Sequence, residues 1–250
     1  MPAILDLPLQ IEICPTLEAV HLPELFLSCL GAGDTSLAAD LRHAEPPRPY
    51  TLSSFYRRER TWMWRITVLV DELWDPLMGG LNKLSMLPIE DGVPVDLSQV
   101  RMQQVSYETL LAGAASHPCL RLRFLSPTST HVGKLSYPLP DPIVLFQSWF
   151  TRWNAFAPVK LERALLDVAA VHLAVSYGTI RTCSWNLGVS RQIGFVGRVN
   201  LRVVQAHKLG DRILQHINAL AAYASFCGTG QRTAQGMGQT RYYLHDGATS

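Results

Sequence analysis

Residues 211–245 read DRILQHINALAAYASFCGTGQRTAQGMGQTRYYLH, and this stretch decides how the end of the chain folds. Apolar residues such as Leu214, Ile217 and Leu220 recur at helical spacing, which predicts a helix over residues 210–226. The aromatic and β-branched run after the glycines predicts a strand over residues 237–244. The helix and the strand are joined by a run that holds Gly228, Gly230, Gly236 and Gly238.

This run, which we call the glycine segment (residues 228–239), does not fit the common nucleotide-binding motifs. A Walker A loop needs Lys-Ser/Thr after its glycines, and a dinucleotide fingerprint follows a strand and opens a helix. Here the glycines follow a helix, and the dipole of a helix C-terminus repels anions. Glycine content alone favours a helix C-cap and a tight turn. Gln231 and Arg232 at the tip favour the binding of an extended anion instead.

Composition narrows the class of protein. The chain has 250 residues, 48% hydrophobic and 17% charged, with a net charge of +2, and is long enough for one large domain or two smaller ones. Its five scattered cysteines form no C-x-x-C pair, and no His/Cys/Asp cluster has metal-ligand spacing. The N-terminus lacks the basic region of a signal peptide, and no apolar run reaches transmembrane length. We therefore expect a soluble, cytoplasmic protein with no membrane association, no metal and no cofactor.

The order of predicted elements occurs twice along the chain. Strand, helix, strand, strand, helix, strand is the ferredoxin-like order, and it is predicted once over residues 1–115 and again over residues 116–250. In the first copy, a helix with Pro23 in its middle is followed by a long loop over residues 31–49, rich in glycine, alanine and proline. Loops of this length in compact domains are usually functional or disordered.

Stretches in four regions of the chain, taken in order, resemble a known family. They are RHAEPPRPYTLSSF (42–55), RFLSPTS (123–129) with YPLPDPIVLFQSWFTRWNAFAP (137–158), IGFVGRVNLRV (193–203) and FCGTGQRTAQGMGQ (226–239). Together they resemble the CRISPR-associated endoribonucleases of the sixth Cas family, in the RAMP superfamily, which process precursor CRISPR RNA. The resemblance implies an α+β fold of two tandem ferredoxin-like (RRM-like) domains with a C-terminal glycine-rich loop.

The same resemblance implies metal-independent cleavage of CRISPR repeat RNA. The ribose 2′-OH would attack the adjacent phosphate and leave a 2′,3′-cyclic phosphate and a 5′-OH. This chemistry needs a base, an acid and positive charge near the phosphorane. His43 lies where the family carries its catalytic histidine, and an imidazole suits either proton transfer. The second catalytic group stays open, and the candidates are Tyr50, Tyr56, Lys134 and His21.

RNA would be bound by basic and polar side chains spread along the chain. The candidates are Arg42, Arg57, Arg58, Arg60, His131, Lys134, Arg198, Gln231 and Arg232. The Arg57–Arg60 cluster is predicted at a hairpin tip, where a solvated charge run is the ordinary alternative. The pairs Arg121/Arg123 and Arg198/Arg202 fall at strand spacing, so each pair shares one sheet face. Such a face suggests a basic surface along an RNA backbone.

Two other functions remain open from the sequence. The first is a catalytically inactive RNA-binding subunit of a CRISPR effector complex with the same fold. The second is a small-molecule enzyme with a glycine-rich loop, which is weak because no cofactor motif has its proper context. If the first function holds, or if the enzyme retains its RNA product, other effector-complex subunits are candidate partners besides RNA.

Overall fold

The computed structural model describes residues 1–13, 17–84, 86–89, 92–133, 135–188 and 190–243. In this part of the chain the helices are α1 (Leu22–Gly33), α2 (Thr35–His43), α3 (Trp74–Lys83), α4 (Tyr107–Ala112), α5 (Pro142–Phe156), α6 (Ala164–His172) and α7 (Asp211–Cys227). The strands are β1 (Ala3–Leu9), β2 (Tyr50–Leu52), β3 (Tyr56–Arg58), β4 (Thr61–Val68), β5 (Met86–Leu87), β6 (Val93–Pro94), β7 (Arg101–Gln104), β8 (Cys119–Thr128), β9 (Thr130–Val132), β10 (Leu135–Tyr137), β11 (Leu173–Asn186), β12 (Arg191–Val203) and β13 (Thr240–Tyr243).

These elements form two compact units. The first unit comprises Met1–Val105, Asn186–Arg191 and Arg232–Gly236, and the second comprises Ser106–Trp185, Gln192–Gln231 and Met237–Ser250. Each unit has a sheet with helices packed on it. The division into domains at residues 1–115 and 116–250 stays a prediction.

The sheet of the first unit has the strand order β2-β4-β1-β7, and β3 also pairs with β4. All of these pairings are antiparallel. β1 is one of the two inner strands and is buried along its whole length. α1 packs against both α2 and α3. This is the ferredoxin-like arrangement, in which the last strand pairs with the first.

The sheet of the second unit repeats that arrangement with the order β11-β12-β8-β13. Along β8, Leu120, Leu122 and Phe124 are buried and alternate with residues of the opposite face. α7 packs against β8, β13 and α5. The start of α5 has the expected local signals, since Asp141 caps the helix and Pro142 opens it. The predicted α+β fold with two tandem ferredoxin-like domains is confirmed.

The predicted loop over residues 31–49 is wrong in its first part, which is helical. α1 extends through Gly33, and α2 follows directly. Gly33 serves helix packing, because a Cβ at this position would clash with the carbonyl oxygen of Pro76 in α3. The prediction failed because it took a glycine needed for close helix contact as a chain breaker.

The turn between α1 and α2 also has a clear cause. The Asp34 carboxylate accepts a hydrogen bond from the Leu37 N–H at 3.0 Å and caps α2. Pro23, expected in the middle of a helix, lies in the first turn of α1, where proline is well tolerated. His43 is consequently the last residue of a helix and not part of a long loop.

Candidate active site and nucleic-acid interface

Two histidines lie at the same end of the α1–α2 pair. Arg42, in the last turn of α2, contacts Glu24, in the first turn of α1, with 2.7 Å between Nη2 and Oε2. This ion pair brings the His43 end of α2 to the end of α1 that His21 precedes. Both histidine side chains are exposed. The fold therefore gathers two imidazoles in one region of the first unit.

Arg48 supports the end of the helix that carries His43. Its guanidinium donates hydrogen bonds to the carbonyl oxygens of Leu41 and Arg42, the latter at 3.4 Å from Nη2. A cation at a helix C-terminus also interacts favourably with the helix dipole. The last turn of α2 is thus held by Arg48 on its backbone and by the Arg42–Glu24 pair on its surface.

His21 has the Glu18 carboxylate as a neighbour, and Gly188 lies close to that carboxylate. Its Nε2 lies 3.6 Å from the Glu18 Oε2, which is too long for a hydrogen bond. A Cβ added at Gly188 would lie 2.6 Å from the same oxygen. The His21 imidazole is 60% exposed and available to a ligand.

Residues 232–236 of the glycine segment belong to the same unit as His21 and His43. Residues 233–235 form a 3-10 turn that packs against β2, α1 and the 3-10 turn that ends at His21. Arg232 precedes this turn in the left-handed conformation, with φ of 56°. Its exposed guanidinium donates to the Gln235 Oε1 at 2.9 Å. A phosphate bound near His21 would therefore have the Arg232 guanidinium in the same region of the surface.

Gln231 connects the glycine segment to the β9–β10 hairpin. Its Nε2 donates to Ser129 Oγ and Ser136 Oγ, each at 3.1 Å. The hairpin was predicted around His131, and the pairing of His131 with Ser136 confirms it. His131 is exposed. Lys134, another residue predicted to bind RNA, lies outside the described residues.

The basic cluster of Arg57, Arg58 and Arg60 lies at the tip of the β3–β4 hairpin, as predicted. All three side chains are exposed. The neighbouring Tyr56 is different, because its hydroxyl donates to the Asp6 carboxylate at 3.0 Å. Burial, which outweighs the opposing effect of Arg65, raises the pKa of Tyr56 to about 12. Tyr56 is therefore a protonated hydrogen-bond donor near neutral pH.

Tyr50, another candidate for the second catalytic group, lies in the core. Its side chain is 1% exposed and stacks on Phe26 with 4.2 Å between ring centroids. Burial raises the pKa of the Tyr50 hydroxyl. A side chain in this position has no access to a phosphate at the surface, so His21 is the better placed candidate.

Three arginines form a row across the sheet of the second unit. Arg123 on β8 pairs directly with Arg198 on β12 and with Arg241 on β13, and all three are exposed. We call these three residues the arginine row. Arg121 and Arg202 lie on the same face, which confirms the predicted sharing of a sheet face. Like charges directly opposite each other on a sheet are unfavourable, so the row favours a bound polyanion.

Arg241 was missed by sequence reasoning. The predicted strand over residues 237–244 contains it, but the register that places it opposite Arg123 is set by strand pairing. The sequence did offer one signal, because Arg241 and Tyr243 are two residues apart in a predicted strand and so share one face of it.

The described part of the chain shows neither a metal-binding cluster nor a membrane-spanning helix. No group of three or more His, Cys, Asp or Glu side chains there is arranged to hold a metal ion. None of the helices there is both long enough and apolar enough to cross a bilayer.

Comparison with known proteins gives one consistent family. Residues 122–240 match the family model of the CRISPR-associated endoribonuclease Cas6. A Cas6 endoribonuclease of Mycobacterium tuberculosis is 22% identical over 245 residues, which covers 94% of this chain and 77% of that protein.

Solved structures agree with this match. The product complex of a Thermus thermophilus Cas6 has a TM-score of 0.85 and 27% identity, with 97% of this chain and 99% of that chain covered. The product complex of a second Cas6 has a TM-score of 0.83 and 25% identity over the same shares of the two chains. A Cas6-related protein from Pyrococcus furiosus, at 14% identity and a TM-score of 0.65, shares the fold.

Proposed function

We propose that the chain is an endoribonuclease of the Cas6 family, as its likeness to Cas6 proteins supports, and that it cuts CRISPR repeat RNA in precursor transcripts without a metal ion. The ribose 2′-oxygen attacks the adjacent phosphorus, and the bond from phosphorus to the 5′-oxygen breaks. The products are a 2′,3′-cyclic phosphate and a 5′-OH. The observation that carries this proposal is the placement of His21 and His43 at one end of the α1–α2 pair.

In this proposal the two imidazoles share the proton transfers. A neutral imidazole removes the proton of the 2′-OH, and an imidazolium protonates the leaving 5′-oxygen. Histidine suits both roles because a neutral imidazole accepts a proton at one ring nitrogen and a protonated imidazole donates one. His43 is the first candidate for one of these roles and His21 for the other. General acid–base catalysis of this kind contributes about 10²–10⁴-fold to a rate.

Positive charge near the phosphorane is assigned to Arg232. Arg232 directly precedes the 3-10 turn of residues 233–235, which packs against the turn that ends at His21, and this supports the role. Charge that is fixed in place before the reaction stabilises a transition state without reorganisation. The glycine segment then serves as an anion-binding loop through Arg232 and not through a helix N-terminus.

Binding of the RNA on either side of the reacting phosphate is assigned to three basic surfaces. These are the arginine row, the β3–β4 hairpin tip with Arg57, Arg58 and Arg60, and the β9–β10 hairpin with His131. Lys134 is proposed to bind RNA from its position in the sequence alone. Each exposed arginine that neutralises a phosphate releases counterions, which makes binding salt-dependent. Gln231 acts in this scheme by holding the β9–β10 hairpin, and Arg42 by holding α2. Retention of the cut RNA and assembly with other effector subunits complete the proposal.

The second candidate function is an RNA-binding subunit without catalytic activity. The same basic surfaces favour it, because they serve binding whether or not a bond is broken.

One experiment separates the two functions. The protein is incubated with radiolabelled repeat RNA and with a scrambled RNA of equal length, and the product ends are analysed. Cleavage at one site of the repeat, with a cyclic phosphate and a 5′-OH, supports the endoribonuclease. Tight binding of the repeat with no cleavage under any buffer condition favours the binding subunit.

A further inference from the structure

Within the second unit, two polar side chains of α5 hold Gly230 of the glycine segment. We propose that Arg152, acting with Ser148, is the positioning residue of this segment, and that it sets the place from which Arg232 contacts RNA. This inference rests on the proposed function, and it adds a residue pair that lies outside the candidate active site.

The contacts form a closed ring around Gly230. The Gly230 N–H donates to Ser148 Oγ at 2.8 Å, and Arg152 Nη2 donates to the Gly230 carbonyl oxygen at 2.7 Å. Arg152 Nη1 donates to the same Ser148 Oγ at 2.7 Å. One arginine–serine pair thus satisfies both backbone polar groups of a single glycine.

The neighbours of Gly230 leave little room for adjustment. A Cβ at Gly230 would clash with the carbonyl oxygen of Ser129, and its φ of +78° is one that other residues rarely adopt. The next backbone N–H, that of Gln231, donates to the same Ser129 oxygen at 2.9 Å. On the other side, Trp149 Nε1 donates to Thr229 Oγ1 at 2.8 Å.

Residues 229–231 are therefore held by hydrogen bonds on both sides. Arg232 is the first exposed residue after them. Fixing the residues beside a contact lowers the entropy cost of ordering that contact on binding. Because Arg152 is half-buried and its guanidinium bonds the backbone directly, we assign it a role in positioning and not in contacting RNA. Loss of Arg152 should free the segment and misplace Arg232.

A double-mutant cycle tests the proposal. Affinity for repeat RNA and its salt dependence are measured for the wild type, Arg152→Met, Arg232→Ala and the double variant. We expect Arg152→Met to weaken binding about tenfold, as expected for loss of a hydrogen bond to a charged group. Its cleavage rate at saturating RNA should also fall, though by no more than in Arg232→Ala, because the misplaced Arg232 contributes less charge at the phosphorane. In the Arg152→Met background, Arg232→Ala should cost less than about twofold more, because the two changes act on one contact.

The matched control is Arg163→Met, which removes the same charge from an exposed position of the same unit. In that background Arg232→Ala should keep its full effect. Ser148→Ala removes the acceptor of the Gly230 N–H without changing charge, and it should reproduce the loss of coupling if Arg152→Met does not fold.

The proposal is overturned if Arg232→Ala costs the same in the Arg152→Met, Ser148→Ala and Arg163→Met backgrounds while the wild type binds and cuts the repeat. Failure of the wild type to bind repeat RNA would overturn the proposed function itself. Hydrogen exchange of residues 229–236 without RNA then still tests the anchor, and unchanged exchange in Arg152→Met would refute it.

Discussion

Replacing Asp6 with asparagine is expected to be among the most destabilising single changes in the first unit. Asp6 on β1 lies directly opposite Arg65 on β4. The guanidinium makes two hydrogen bonds to the carboxylate, at 2.6 Å from Nε and 2.8 Å from Nη2. The two side chains are only 8% and 12% exposed.

The size of the effect follows from what the substitution leaves behind. Asparagine keeps one oxygen but directs an amide donor at the guanidinium, so Arg65 is left buried without a counter-charge. Breaking a buried pair in this way costs about 3–5 kcal/mol of the free energy of unfolding. The double change Asp6→Leu with Arg65→Met removes both charges and is expected to cost less than Asp6→Asn, about 1–3 kcal/mol, because it leaves only the Tyr56 hydroxyl without its acceptor.

The pair also predicts a pH dependence. Burial raises the pKa of Asp6, but the hydrogen bonds and charge of Arg65 outweigh it, so the pKa lies below its usual range. A carboxyl with a depressed folded-state pKa stabilises the protein above its unfolded pKa of about 3.9. That stabilisation is lost as the pH falls through the folded-state pKa. The wild type should therefore lose its advantage over Asp6→Asn at acid pH.

The assay is urea denaturation followed by circular dichroism, at pH 7 and at steps down to about pH 2. The control is Glu72→Gln, an exposed carboxyl in the same unit, which is expected to stay within about 0.5 kcal/mol of the wild type. If Asp6→Asn at pH 7 is as stable as Glu72→Gln, the argument from the buried ion pair is refuted.

Three further predictions concern the glycine segment, the arginine row and the metal. Gly230→Ala should destabilise the protein by at least about 2 kcal/mol through its clash with Ser129, whereas Gly133→Ala, with φ of +61° and open space, should cost about 1 kcal/mol in thermal or urea unfolding. Equal costs would refute the clash. Arg123→Ala should lower the slope of log affinity against log salt by about 0.7–0.9, while the exposed Arg191→Ala should not, and equal slopes for both would remove the arginine row from the RNA interface. Cleavage should persist in EDTA, and activity that returns only with Mg²⁺ would contradict the proposed mechanism.

The end of the chain could be predicted from its sequence because its signals are local. The helical spacing of α7, the glycines that follow it and the β-branched and aromatic run of β13 each act over a few residues. Tertiary packing was not needed to find these elements. The same holds for the β9–β10 hairpin around His131.

The surroundings of His43 could not be predicted in the same way. Gly33 favours a loop when only its neighbours in sequence are considered, and its packing against α3 is a tertiary contact. Because α2 was not predicted, the Arg42–Glu24 ion pair and the common position of His21 and His43 could not be predicted either. Arg241 was missed for a related reason, since only the sheet register places it beside Arg123.

The central claim is that His43 takes part in a proton transfer during RNA cleavage, and single-turnover cleavage of repeat RNA by His43→Ala tests it most directly. The account predicts a rate about 10²–10⁴-fold below the wild type, with nearly unchanged affinity for the repeat. A repeat with 2′-deoxyribose at the cut site should bind and resist cleavage in the same way. His43→Ala cutting at the wild-type rate would contradict the account and leave His21 as the next residue to test.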